Sequence, residues 1–416
     1  MNEMIYHLND RIPFGKLLLF GLQMMLSVFV ATVLIANICG MSVSGALVGA
    51  GLATLIYTVV TRGKSPMFIS NSGAFAAPVM IAFAAGGYTA VGIGGIITCL
   101  VYSIFGLVFT RILVDKIYKI FPRALIGSVT AVIGINLMGF IGTYVEVHGM
   151  VNEWGMSVAI VTMLAIAAIS HYSKGVLKIL PFLAGTLIGY IYAIILTLTG
   201  ACDIVDFSVF NGVQFVSMPD FAFAHFESVD VRALISVVII YIAFTVSAMM
   251  ECLSDHAALG GIIGIDLYEK PGIGRIFIGE GVANLASSFF GGLGACSYGE
   301  GVACVGFSQV ASVRVTITAA LMLASLGFIG PIQAFITSIP SCVFAGAAII
   351  LYGFIATSGI RMLREVDLNH QKNLILVSVV LSLGVSGLAI GGEVVSLSAT
   401  ALALVAGVIL NLILKE

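Results

Sequence analysis

Four ionisable side chains stand within long apolar runs of the sequence: Glu251, Asp255, His256 and Glu300. A charged carboxylate at bilayer depth costs on the order of 3 kcal/mol and normally faces a cavity or a transport path. Glu251 and Asp255 are four residues apart, so on a helix they share one face. Because burial and mutual repulsion both favour the neutral form of a carboxyl, these groups suit a site that binds and releases protons.

Glu300 lies in a glycine-rich stretch, residues 295–306, that is also apolar. Its glycine content predicts an extended or broken segment rather than a plain helix. A second stretch, residues 66–78, is rich in Ser, Asn, Gly and Pro, and its exposed backbone N–H groups need partners that a polar ligand could supply. Broken spans that carry an acid are typical of the binding site of a transporter.

Three other polar residues have competing interpretations. His256 is turned about 100° away from the face that carries Asp255, and we interpret it as a packing residue. Glu280, in a Gly-Glu-Gly sequence, is interpreted as a capping or interfacial acid. Tyr352 fits a boundary aromatic and a residue facing the site equally well. The seven cysteines are scattered and form no CxxC pair, so we expect core thiols rather than a disulfide or metal framework.

The composition places the whole chain in a membrane. Of the 416 residues, 60% are hydrophobic and only 9% are charged, against about 25% charged in soluble domains. The net charge of -2 leaves no basic surplus for nucleic acid. No histidine cluster, nucleophile elbow or phosphate loop is found, which disfavours an enzyme. We therefore expect a multi-pass transporter, with a passive channel as a further alternative.

Apolar runs predict fourteen membrane segments. Three of them, 67–85, 276–291 and 295–311, are short or interrupted, so hydropathy alone could return twelve. The predicted segments are 15–38, 42–60, 67–85, 88–110, 124–142, 155–170, 177–199, 232–256, 276–291, 295–311, 313–330, 339–359, 373–390 and 395–413.

The distribution of charge supports this count and orients the chain. With the N-terminus inside, all of the 18 Lys and Arg except Arg232 fall in inner connections or at their edges, while acids such as Glu146 and Glu393 fall outside. The positive-inside rule then predicts fourteen spans with both termini cytoplasmic. The outer loop 200–231 separates a first seven-span repeat, 1–199, from a second, 232–416. An odd number of spans per half inverts the halves, and the two broken segments are third in each half.

Five stretches resemble a known family. Gly299-Glu300 in Ser-Tyr-Gly-Glu-Gly-Val and residues 270–281 and 351–361 resemble the uracil permease branch of the nucleobase-ascorbate transporters, also called the nucleobase-cation symporter 2 family. Residues 66–75 and 251–256 fit the same branch. The resemblance implies an all-α membrane fold of fourteen spans in two inverted seven-span repeats, divided into core and gate domains. It also implies a short strand and a half-helix in each of spans 3 and 10, and homodimers occur in the family.

The resemblance also implies a set of site residues. Glu251 and Glu300 would accept hydrogen bonds from the N–H groups of a flat base, and the backbone amides of Gly73 and Gly299 would hold its carbonyl oxygens. Ser72 and Tyr298 complete the implied substrate-binding set. The implied proton-coupling residues are Asp255, Glu300 and Tyr352.

Three departures from the family pattern bear on the substrate. Gly73 stands where uracil carriers usually place an aromatic, Gly301 stands where Asn is common, and Asp255 stands where some members have His. The space at Gly73 suits a larger purine, whereas purine carriers of the family tend to have Gln in place of Glu300.

We therefore expect a proton-coupled symporter in the cytoplasmic membrane that imports uracil-type pyrimidines by alternating access. A purine permease of the xanthine or guanine type is the first alternative. An anion carrier like the sulfate transporters is the second, although such a site should hold a cation beside its half-helix N-termini. The expected partners are a nucleobase and membrane lipid, without a cofactor, and the coupling ion is a proton, with sodium left open.

Overall fold

The computed structural model describes residues 4–110, 122–139, 141–147, 150–174, 181–388, 390–391, 396–397 and 399–414. These residues form a mainly helical bundle. Several charges of the predicted inside-outside pattern lie outside the described residues: Arg111, Lys116, Lys119, Lys178, Glu393 and Lys415.

The elements of the first half are α1 Phe14–Ile38, α2 Val43–Val60, β1 Ile69–Asn71, α3 Ala76–Phe109, α4 Arg123–Met138, α5 Ile141–Tyr144, β2 Glu146–Val147, β3 Met150–Val151, α6 Glu153–Tyr172 and α7 Pro181–Leu198. Those of the second half are α8 Val231–Ile263, α9 Ile273–Phe290, β4 Ala295–Ser297, α10 Gly299–Ser308, α11 Val313–Leu326, α12 Gly330–Thr337, α13 Ser341–Leu363, α14 Gln371–Val385, β5 Ile390–Gly391, β6 Ser396–Leu397 and α15 Ala399–Ile413.

Seven of the described helices are long and apolar enough to cross a membrane: α1, α2, α3, α6, α7, α8 and α13. Four further apolar helices, α4, α11, α14 and α15, are shorter than the about 20 residues that a perpendicular span needs. The helices agree with the multi-pass membrane protein that the composition predicts. The count of fourteen spans stays a prediction.

Helix α3 breaks where the sequence separates its third and fourth apolar runs. Gly87 adopts φ +58° and ψ -150°, a conformation that is essentially restricted to glycine. Gly86 next to it is also non-helical. The break divides α3 into a short half-helix that follows β1 and a longer helix that ends at Phe109.

The helices pack as two groups. In the first group, α9 packs on α2 and α3, α8 on α3 and α10, and α11 on α1 and α2, with β1 and β4 between them. In the second group, α13 packs on α4 and α6, α6 on α7, and α14 on α4 and α15. The groups touch through contacts of α1 with α7 and α13 and of α8 with α4 and α15.

Glycines allow close approach of the helix backbones in both groups. A Cβ added at Gly94 of α3 would lie 2.1 Å from the ring of Tyr241 in α8. In the second group, a Cβ at Gly134 of α4 would lie 2.3 Å from the backbone of Ala356 in α13. Such small-residue contacts are the usual means of helix association in lipid, where packing rather than water expulsion drives assembly.

All seven cysteines are free thiols, and five are buried, which agrees with a packing role. The connection 200–231, which the sequence predicts to be an outer loop, carries two short 3-10 turns, Phe207–Phe210 and Ala222–His225. It is anchored on the helix ends, since Ser217 N–H donates to the carbonyl of Phe328 at 3.0 Å.

Candidate substrate site

Two short buried strands form the centre of the first helix group. Strands β1 and β4 pair antiparallel, with Ile69 opposite Ser297, Ser70 opposite Cys296 and Asn71 opposite Ala295. Both strands are fully buried. Both stretches that were predicted to be broken therefore contain a strand followed by a helix. Because the strands are antiparallel, the two following helices begin at opposite ends of the pair, where their first N–H groups lack helical partners.

Glu251 presents a carboxylate to open space inside this group. Its side chain is exposed although the next two residues of α8, Cys252 and Leu253, are buried. The hydroxyl of Ser72, the residue after β1, donates to Glu251 Oε2 at 3.2 Å. An exposed acid in the middle of a packed helix indicates a polar cavity next to the strands.

Asp255, Gly299 and Glu300 face the same region. Asp255 is half-buried and lies one turn after Glu251 on α8. Its Oδ2 has no hydrogen-bond partner among the described residues. Gly299 is exposed, and a Cβ added there would meet only Asp255 Oδ1, at 3.9 Å. Glu300 is half-buried in the first turn of α10. When both are ionised, Glu300 and Glu251 repel each other.

The remaining predicted site residues, Tyr298, Gly73 and Tyr352, lie in three different parts of the structure. Tyr298 is 5% exposed and directly precedes α10, which begins at Gly299. Gly73 is half-buried and begins the 3-10 turn Gly73–Phe75 directly after Ser72. Tyr352 is 1% exposed on α13, in the second helix group, so it is not a boundary aromatic.

His256 has the packing role that the sequence favoured. It is fully buried, with Nε2 2.6 Å from the Tyr57 hydroxyl and Nδ1 2.8 Å from the carbonyl oxygen of Cys252. Ligand atoms of Cys252, His256 and Glu280 lie within 4.8 Å of one another. Because hydrogen bonds already engage both ring nitrogens and both Glu280 oxygens, the cluster is better described as a buried polar network than as a metal site.

The interpretation of Glu280 as a capping or interfacial acid is wrong. Glu280 lies in the middle of α9 and is fully buried. Its Oε1 accepts the Ser297 N–H at 3.1 Å, and its Oε2 accepts the Tyr102 hydroxyl at 3.0 Å. The flanking glycines suggested a helix end, but their role is to let α9 pack closely on α3. A Cβ at Gly281 would lie 2.8 Å from Tyr102.

The fold is similar to that of membrane proteins whose structures are solved as transporters. The whole fold is similar to that of the transmembrane domain of a cyanobacterium bicarbonate transporter, BicA, with a TM-score of 0.66 at 16% sequence identity. The likeness covers 97% of this chain and 98% of that domain. At this identity it shows the fold alone.

Sequence comparisons define the family. The sequence model of a permease family matches residues 15–391. The uracil permease of Bacillus caldolyticus is 32% identical over 420 residues, covering 100% of this chain and 95% of that protein. The uracil permease of Bacillus subtilis is 33% identical over 410 residues, covering 95% and 92%. The chain belongs to this permease family, and the predicted resemblance to its uracil permease branch is confirmed.

Proposed function

We propose that this protein is a proton-coupled importer of nucleobases, with uracil-type pyrimidines as its substrates. The observation that carries the proposal is the exposed Glu251 carboxylate in a packed helix, bonded to Ser72 and facing the space beside Gly299 and Glu300. The names of its full-length relatives, uracil permeases, support the same substrate class.

The polar groups around this space match the edges of a pyrimidine such as uracil. Uracil offers two ring N–H donors and two carbonyl acceptors. Glu251 and Glu300 supply carboxylate acceptors, whose hydrogen bonds to N–H groups are stronger than neutral ones. Backbone N–H groups of Gly73 and Gly299, at the start of the two half-helices, supply donors for the carbonyl oxygens. The absence of a side chain at Gly299 lets a flat ring approach this backbone.

Proton coupling is assigned to the carboxyl groups beside the base. Asp255 lies one helical turn from Glu251, and when these groups are ionised it is repelled by Glu251, by the buried Glu280 and by Glu300. A proton taken up from outside neutralises part of this repulsion and stabilises the loaded site. Release of the proton inside restores the repulsion and weakens binding. Glu300 shares the bound proton with Asp255. Tyr352, in the second helix group, is the third proton-coupling residue.

The two helix groups supply the moving parts of an alternating-access cycle. The first group, which holds β1, β4 and the carboxylates, acts as the core domain, and the second acts as the gate domain. Fourteen spans in two inverted repeats, 1–199 and 232–416, explain why the strands at the site come from the third segment of each half and pair antiparallel. Both termini are then cytoplasmic, in the cytoplasmic membrane. The transporter works as one chain or as a homodimer, without a cofactor.

Uptake into proteoliposomes tests the proposal. We expect radiolabelled uracil to accumulate when the outside is acidic, to stop accumulating with a protonophore, and to be displaced by thymine more than by xanthine or hypoxanthine. Accumulation that needs a sodium gradient and ignores the protonophore would overturn proton coupling. Displacement by xanthine at lower concentration than by uracil would favour the purine alternative. Bicarbonate or sulfate uptake without any effect of bases would refute the nucleobase assignment.

A further inference from the structure

Strand β4 has two edges, and among the described residues only one of them faces another strand. β1 pairs along one edge. Ala295 and Ser297 are two residues apart, so their backbone groups point to the same side of the strand. On that side lies α9, a helix that cannot continue a sheet. Buried backbone groups there need side-chain partners, because an unsatisfied buried N–H or C=O is costly.

Two side chains of α9 supply these partners. Glu280 Oε1 accepts the N–H of Ser297 at 3.1 Å. Asn284, one helical turn further on, donates from Nδ2 to the carbonyl oxygen of Ala295 at 2.9 Å. Both side chains are fully buried. Because they are four residues apart on one helix face, they stand where a third strand would stand. We call this pair the strand clamp.

Glu280 is itself fixed by donors from two other elements. Its Oε2 accepts the hydroxyl of Tyr102 in α3 at 3.0 Å and the thiol of Cys296 in β4 at 3.5 Å. The acid therefore joins α3, α9 and β4. Replacing it with an apolar side chain would leave the Ser297 N–H and the Tyr102 hydroxyl without their acceptor.

Strand β1 is supported in the same way at its own free edge. Thr54 Oγ1 accepts the N–H of Ile69 at 3.0 Å and donates to the carbonyl oxygen of the same residue at 2.6 Å. Thr54 belongs to α2, the second helix of the first half, and the strand clamp belongs to α9, the second helix of the second half. Side-chain support at both outer edges indicates that the position of the strand pair is strictly held.

Ser297 connects the strand clamp to the candidate site. Its N–H donates to Glu280, and only Tyr298 separates it from Gly299 and Glu300. We infer that Glu280 and Asn284 are positioning residues, which hold β4 against β1 and thereby set where the Gly299 N–H and the Glu300 carboxylate meet the substrate. The inference rests on the proposed function only in its binding measurement, because the exchange measurement needs no substrate.

Hydrogen-deuterium exchange of the full-length protein tests the structural half of this inference. We expect Glu280→Ala to speed exchange in peptides covering 293–301 at least tenfold, without change in peptides covering 43–60. Glu280→Gln keeps an acceptor oxygen and should exchange like the wild type. Ser287→Ala is the matched control on α9, because Ser287 Oγ has no hydrogen-bond partner in the described part of the chain.

Uracil binding to the same purified variants tests the functional half. We expect Glu280→Ala and Asn284→Ala to raise Kd at least tenfold, Glu280→Gln to stay within threefold, and Ser287→Ala to bind like the wild type. If Glu280→Ala does not fold, Asn284→Ala carries both measurements.

The outcomes separate the inference from the proposed function. Unchanged exchange in Glu280→Ala overturns the strand clamp, and faster exchange with unchanged Kd overturns its positioning role. Equal losses in Glu280→Gln and Glu280→Ala also overturn it, because the acceptor oxygen would then not matter. Wild-type protein that binds no nucleobase, combined with faster exchange in Glu280→Ala, refutes the proposed function while the strand clamp stands.

Discussion

The contact between Ser72 and Glu251 allows a prediction with a calculable size. Ser72→Ala removes the hydroxyl that donates to Glu251 Oε2 at 3.2 Å. Ser72 is 2% exposed, whereas the Glu251 side chain is open to the cavity. Without this donor the carboxylate is free to turn away from the strands. Substrate binding must then restore its orientation, which costs affinity.

The expected loss is about fivefold in the Kd for uracil. Hydrogen bonds to charged groups contribute about 1.5 to 3 kcal/mol and neutral ones about 0.5 to 1.5 kcal/mol. Because cavity water competes for Glu251, we take about 1 kcal/mol for the lost hydrogen bond. Since 1.4 kcal/mol corresponds to about a tenfold change in Kd, about 1 kcal/mol corresponds to about fivefold. The fold should survive, since the backbone bond from Ser72 N–H to the Gly294 carbonyl, at 3.1 Å, remains.

Isothermal titration of uracil into purified protein measures this loss. Ser70→Ala is the matched control: Ser70 lies two residues earlier, equally buried, but its hydroxyl is 2.7 Å from that of Thr32 and serves β1 packing. We expect a fivefold higher Kd for Ser72→Ala and no change for Ser70→Ala. Wild-type affinity in Ser72→Ala, or equal losses in both variants, would refute the role assigned to this contact.

Three further predictions concern single positions. Gly299→Ala should melt like the wild type, because its Cβ would meet only Asp255 Oδ1 at 3.9 Å. Its affinity for uracil should fall about tenfold or more in titration. Unchanged affinity would show that the base binds at another place. Asp255→Asn should still bind uracil but fail to accumulate it under a pH gradient in proteoliposomes, and retained accumulation would exclude it from coupling. Gly94→Ala should destabilise the fold by about 1 to 3 kcal/mol in a thermal-melt assay, because its Cβ would lie 2.1 Å from the Tyr241 ring; an unchanged melting temperature would contradict this.

The glycines and acids of the sequence predict much of the local architecture. The stretches 66–78 and 295–306 predicted broken segments, and the structure places β1 and β4 in them. The break between the third and fourth apolar runs coincides with Gly86 and Gly87. These features follow from local rules, because glycine content and apolar length are readable without knowing the tertiary contacts.

Glu280 shows what local rules miss. Its two oxygens bond to Tyr102, 178 residues away, and to Ser297, 17 residues away. Nothing near Glu280 in the sequence indicates which way its helix face points, and the low hydrophobic periodicity of a helix buried all round removes the usual signal. The antiparallel pairing of β1 with β4 is likewise a tertiary property, since each strand has only three residues.

In the proposed site, Glu251 and Glu300 accept the N–H groups of a pyrimidine base. Equilibrium binding of uracil to wild-type protein and to Glu300→Gln tests it most directly, because Gln keeps the size of the side chain and replaces one acceptor oxygen with a donor amide. We predict a folded variant whose Kd is raised about 30-fold or more, corresponding to about 2 kcal/mol for a lost hydrogen bond to a charged group. A Glu300→Gln protein that binds uracil as tightly as the wild type would contradict the account.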